Sequence, residues 1–85
     1  AVVALKARIQ ACDGLILATP EYNAGMPGVL KNGIDWLTRP PEDLPKTFGD
    51  RPLALLGASP SGFGTVLGQN AWLPVLRFLG VRQWT

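Results

Sequence analysis

Histidine is missing from this 85-residue chain, and only one cysteine, Cys12, is present. These counts remove every mechanism that needs a catalytic histidine, forbid an intrachain disulfide and argue against a zinc site, whose usual ligands are lacking. Charge is scarce as well. Charged residues make up 16% of the chain, with eight Lys/Arg scattered against six Asp/Glu for a net charge of +2. With no basic block, nothing favours a nucleic-acid partner. The apolar runs fall far short of the roughly 18 residues that a membrane span requires. Neither a span nor a signal peptide is expected, and the expected compartment is the cytoplasm. The hydrophobic fraction of 47% is that of a core-building domain rather than a disordered tail. Ten Gly and eight Pro follow no period, which excludes collagen-like and low-complexity readings.

The apolar pattern divides the chain into alternating elements. Val2, Leu5 and Ile9 fall at helical spacing, with Lys6 and Arg8 on the other side. Asp13-Gly14 is expected to close this helix through a left-handed glycine. Leu15-Ile16-Leu17-Ala18 is unbroken and apolar, as in a parallel strand covered on both faces. The stretch GVLKNGIDWL at 28–37 is ambiguous. Asn32-Gly33 is a hairpin signal, whereas Val29, Leu30, Gly33, Ile34 and Leu37 keep helical spacing behind Pro27. Residues 40–50 read as a polar connection. A second two-sided strand covers 52–57, and a helix from Thr65 closes at Gly80, with Pro74 expected to kink it or delay its start. VRQWT at 81–85 reads as the approach to a further strand.

Helix, strand, helix, strand, helix implies a parallel α/β sheet. Two strands do not complete such a sheet, and the chain does not begin with Met. The expectation is a segment of a larger domain.

In open α/β sheets ligands lie beyond the carboxyl ends of the strands. Two loops stand there: TPEYNAGMP at 19–27 and ASPSGFG at 58–64. The first offers the aromatic Tyr22, the amide of Asn23 and backbone N–H groups from Glu21 to Asn23, expected to be free for a planar polar ligand. The second offers Ser59, Ser61 and Gly62, small enough for a close backbone approach. Neither has a dinucleotide or P-loop glycine pattern.

The stretch TPEYNAGMPGVLKNGIDWLTRP closely resembles the segment after the third strand of the NADPH-dependent FMN reductases. This flavodoxin-like family includes chromate, quinone and azo-dye reductases. Pro20–Asn23, Pro27–Asn32 and Ile34–Trp36 match in order and spacing, and the strand with GASPSGFG is similar to the family's fourth strand. The resemblance implies a flavodoxin-like doubly wound parallel sheet, of which residues 1–85 form part of a single domain lacking the N-terminal phosphate-binding loop. It implies non-covalent FMN held by Pro20, Glu21, Tyr22 and Asn23 and by Ser59, Pro60, Ser61 and Gly62, with no catalytic residue and no metal. It further implies NADPH or NADH as co-substrate, a small-molecule electron acceptor (quinone, chromate, azo compound or free flavin), a helix at 28–37, and a homodimer or homotetramer.

Plainer readings stand beside these. Glu21 fits a solvated or salt-bridged loop residue, the Ser/Gly loop an ordinary helix N-cap, and Trp36 and Trp72 core or interface anchors. The competing functions are a flavodoxin-like electron carrier without nicotinamide chemistry and an inactive fragment without flavin. Carriers of that type are strongly acidic, unlike this chain.

Overall fold

The computed structural model describes residues 1–84. The chain opens with helix α1 (Val2–Ala11), built on the good helix formers Ala4, Ala7 and Ala11. Its buried residue is Lys6, whereas Val2 and Leu5 remain 37% and 49% exposed. Lys6 thus leaves the expected solvent face, while Ile9 packs against the core and Arg8 stays exposed as expected. Part of the surface that α1 meets is polar: Lys6 Nζ donates to the Arg39 carbonyl and to Asp43 Oδ2, and Gln10 Nε2 donates to Thr47 Oγ1 at 3.0 Å. Nor does a left-handed Gly14 stop the helix. Cys12 leaves it in an extended conformation, and Gly14 is small because a Cβ would lie 3.3 Å from the Pro52 carbonyl oxygen.

Strand β1 (Leu15–Ala18) leads through the first loop to α2 (Gly28–Leu37), so the helical spacing prevails over the Asn32-Gly33 hairpin signal. The connection after α2 is more ordered than its composition predicts. A 3-10 turn at Pro41–Asp43 runs into a short helix, α3 (Leu44–Thr47), and Thr47 and Phe48 are fully buried. Arg51 gathers the ends of this layer, donating to the carbonyls of Thr47 (2.7 Å), Lys46 (2.9 Å) and Cys12.

Strand β2 (Pro52–Leu56) pairs parallel with β1, Leu15 opposite Leu53 and Ala18 opposite Leu56. Helix α4 (Val66–Leu79) runs without a break, Pro74 included, and closes at left-handed Gly80 (φ 77°). Its start is not delayed by the proline. Strand β3 (Arg82–Trp84) pairs parallel with β2; the last residue of the expected strand approach, Thr85, lies outside the described residues. The adjacent parallel strands joined through a helical crossover are those the unbroken apolar runs predict.

Coverage of the sheet is one-sided. Leu53 joins Leu37, Phe48, Trp72, Leu76 and Leu79 in the buried core, with Leu15, Leu17 and Leu55 packed against it. Along the strands the alternate residues face away: Ile16 is 72% exposed, Leu56 47% and Trp84 79%. The expected cover on both faces is thus present on one only among the described residues. Of the two helical tryptophans expected to anchor a core or interface, Trp72 is fully buried and Trp36 is exposed.

Candidate functional site

Strand pairing brings the two candidate loops together. The Thr19 N–H donates to the Leu56 carbonyl at 2.9 Å, which extends the β1–β2 ladder to the root of both loops. Thr19 is buried; its hydroxyl donates to the Pro20 carbonyl (2.8 Å) and accepts from the Trp72 indole N–H (3.1 Å). Gly57 opens the second loop directly above it. A Cβ there would lie 2.5 Å from the Thr19 carbonyl oxygen and 2.4 Å from Thr65 Oγ1, so only glycine permits this approach.

In the first loop Pro20 is exposed, while Glu21 is half-buried and turned inward. Glu21 Oε1 accepts the Gly68 N–H of α4 at 2.7 Å. The expected solvated or salt-bridged loop carboxylate thus has one oxygen on a helix amide, and no cation pairs with it among the described residues. Tyr22 and Gly25 exchange backbone hydrogen bonds of 2.9 and 3.0 Å, with Asn23 (φ 50°) and Ala24 (φ 62°) left-handed between them. This is the geometry of a type I′ turn, at which asparagine is at ease and alanine is strained. The turn corrects the expectation that all three backbone N–H groups are free. That of Tyr22 is bonded to Gly25, whereas those of Glu21 and Asn23 have no acceptor among the described residues. The Tyr22 ring is exposed.

The second loop is held by its own side chains. Ser59 Oγ accepts the Ser61 N–H at 3.1 Å and bonds the Ser61 hydroxyl at the same distance. Pro60, Ser61 and Gly62 are exposed, and nothing lies within 4 Å of where a Gly62 Cβ would stand. The loop ends on left-handed Gly64 (φ 54°) and Thr65 (φ 67°), the latter completely buried. A β-branched residue in this conformation is strained, a condition found where a site dictates the backbone. No serine caps α4. Its N-cap is Thr65 without a side-chain cap bond, and the carboxylate that takes a first-turn amide comes from Glu21 in the other loop.

The structure therefore brings Pro20–Asn23 and Ser59–Gly62 to neighbouring strand ends. Two unpaired N–H groups, a small-residue loop and open space at Gly62 fit a planar group with acceptor atoms along its edge, such as an isoalloxazine. Sequence reasoning gives no site role to Thr19, Gly57, Thr65 or Gly68 and reads Trp72 as a core or interface anchor alone. Their parts depend on tertiary contacts, and the one local trace is that Gly68 and Trp72 stand four apart on α4.

A parallel sheet in the order β1-β2-β3, helices packed against it, and paired loops beyond its strands define a flavodoxin-like α/β protein. The chain belongs to the NADPH-dependent FMN reductase family, whose sequence model matches residues 1–84. It is 49% identical over 81 residues to an NAD(P)H-dependent FMN reductase of Pseudomonas aeruginosa, covering 95% of this chain and 42% of that one. It is 41% identical over 78 residues to a 2-hydroxy-1,4-benzoquinone reductase of a Burkholderia species, covering 92% and 42%. Among solved structures, FerB of Paracoccus denitrificans, a flavoenzyme NAD(P)H:(acceptor) oxidoreductase, superposes with a TM-score of 0.91 at 37% identity, over 99% of this chain and 45% of that one. The chain spans less than half the length of these relatives. No helix among the described residues is long and apolar enough to cross a membrane.

Proposed function

We propose that this chain carries the flavin-edge part of an FMN-dependent NAD(P)H oxidoreductase that passes electrons from reduced flavin to a small-molecule acceptor. Quinones are the first acceptor class in this reading, after the benzoquinone reductase among the relatives; chromate, azo compounds and free flavin extend it. The observation that carries the reading is the meeting of the two loops at adjacent parallel strand ends, with the Glu21 and Asn23 N–H groups left without an acceptor among the described residues. Pro20, Glu21, Tyr22 and Asn23 would border one edge of the isoalloxazine, with the Glu21 and Asn23 N–H groups as donors. Ser59, Pro60, Ser61 and Gly62 would approach the pyrimidine end, where the absence of a Cβ at Gly62 leaves room.

Bound FMN supplies the hydride chemistry, so no acid, base or nucleophile of this chain is assigned. The chain's part is to bind and orient. In this reading the phosphate-binding loop of the family lies outside residues 1–85. The exposed Trp36 and Val29 on α2 offer an apolar surface for a homodimer or homotetramer, and the cytoplasm supplies the nicotinamide co-substrate. The test is to purify the protein, record its flavin spectrum and follow NADPH or NADH oxidation with 1,4-benzoquinone. A yellow protein that consumes the nicotinamide only when the acceptor is added is the expected result. Failure to take up FMN would overturn the reading. A flavoprotein inert to both nicotinamides would leave an electron carrier in its place.

A further inference from the structure

We propose that Glu21 is a positioning residue for the flavin edge: its carboxylate, fixed on the Gly68 amide of α4, braces the first loop against the helix that follows the second. The inference rests on the flavin reading above and gives a role to a side chain that the reading uses only for its backbone.

Three observations carry it. The bond from the Gly68 N–H to Glu21 Oε1 is short, 2.7 Å, and joins residues 47 apart in sequence. The approach is tight as well, since a Cβ on Gly68 would lie 3.1 Å from Glu21 Cβ and 3.3 Å from the Gly25 carbonyl oxygen. A second tether lies one turn further along the same face of α4, where the Trp72 indole holds Thr19. The loop is thus hung from one helix at two points, and the Tyr22–Gly25 turn projects beyond them.

The brace meets a need at each end. The first amides of a helix have no partner within it, α4 has no capping side chain of its own, and a carboxylate suits the positive end of the helix dipole. At the other end, the turn contains left-handed Ala24, whose own preference works against the observed backbone. Without Glu21 the loop keeps its root at Thr19 but loses the contact nearest the turn, so the Glu21 and Asn23 N–H groups lose their fixed direction. The core at Trp72, Leu76 and Leu79 does not depend on this contact.

The test uses the flavin-loaded protein and its apo form with Glu21→Ala, Glu21→Gln and, as a stability control on α1, Lys6→Met. FMN affinity is read by fluorescence quenching, Tm by thermal unfolding, and the Gly68 amide by hydrogen exchange. Glu21→Ala should weaken FMN binding about tenfold, the loss of one hydrogen bond to a charged group. It should also speed exchange at Gly68. Glu21→Gln, whose amide oxygen still accepts the Gly68 N–H, should stay within about threefold of the unmodified protein. Lys6→Met should lower Tm and leave FMN affinity unchanged. Unchanged FMN affinity in Glu21→Ala beside a lowered Tm would reduce Glu21 to a structural residue and overturn the proposal. Equal weakening in Glu21→Ala and Glu21→Gln would overturn it too, because the hydrogen bond would then not be the cause. If the unmodified protein bound no FMN, the functional reading would fall and the positioning role with it, while protection at Gly68 would still report the tether.

Discussion

At the scale of single residues, glycine and left-handed backbone decide how the two loops lie. Gly57 and Gly62 occupy the same loop and answer to different neighbours. At Gly57 a methyl group would meet the Thr19 carbonyl and the Thr65 hydroxyl, and the former is backbone with nowhere to go. Gly57→Ala should therefore destabilise the protein by about 2–3 kcal/mol, measured by denaturant unfolding. Gly62 has open space around it, so Gly62→Val should leave unfolding nearly unchanged. If FMN lies over this loop, the branched side chain should nevertheless weaken its binding by at least about tenfold. Intact FMN affinity in that variant would place the flavin elsewhere. Ala24 is the opposite case, a residue with a Cβ where glycine is at ease. Ala24→Gly should stabilise by up to about 1 kcal/mol, the relief of left-handed strain less the added entropy of the unfolded chain. The sequence makes Gly62 and Asn23 legible because loop composition is local. It conceals Gly57, whose need for glycine comes from close approach to Thr19 and Thr65, residues distant in the chain or outside the loop.

Among the elements, α4 links the site to the core. Its buried residues Trp72, Leu76 and Leu79 pack against the sheet, while Gly68 and Trp72 hold the first loop. The unbroken apolar runs of β1 and β2 made their type and pairing readable, since run length survives without tertiary information, whereas the residues of α2 left helix and hairpin open and only the family resemblance implied the helix. Residues 40–50 misled because polar side chains that would suit a loop here hold α1: Asp43 and Thr47 take Lys6 and Gln10. Amphipathicity misplaced Lys6 of α1 for the same reason, while Ile9 does pack against the core. Pro74 misled differently. It is exposed inside a helix whose buried neighbours hold it on both sides. Proline in such a position lacks an N–H for the residue four earlier and crowds its carbonyl. Packing thus sustains a helix that local preference opposes, and Pro74→Ala should raise stability by about 1–2 kcal/mol, the helix gain less the lost stiffness of the unfolded chain. A lower Tm would show that the ring fills space that the helix needs.

For the molecule as a whole, the distribution of apolar surface sets its behaviour. All of the buried core lies on one face of the sheet, against Leu15, Leu17, Leu53 and Leu55. The opposite face presents Ile16, Leu56 and Trp84, and β1 and β3 are both edge strands with unpaired backbone groups along one side. Burying apolar surface is favourable at about 25 cal/mol per Å², and an uncovered sheet face with open edges invites another chain to supply the cover. Net charge opposes this only weakly, at +2. Expressed as these 85 residues alone, the chain should therefore associate, its sedimentation coefficient rising with concentration. Ile16→Lys together with Trp84→Lys should reduce that rise, because both side chains lie on the open face and are largely exposed. The same pair would do little if association ran through α2, where Trp36 and Val29 are exposed; Trp36→Lys would then be the substitution that disperses it. A chain that sediments as a monomer at every concentration, and unfolds at a Tm independent of concentration, would show that one covered face and open edges suffice for an independent fold.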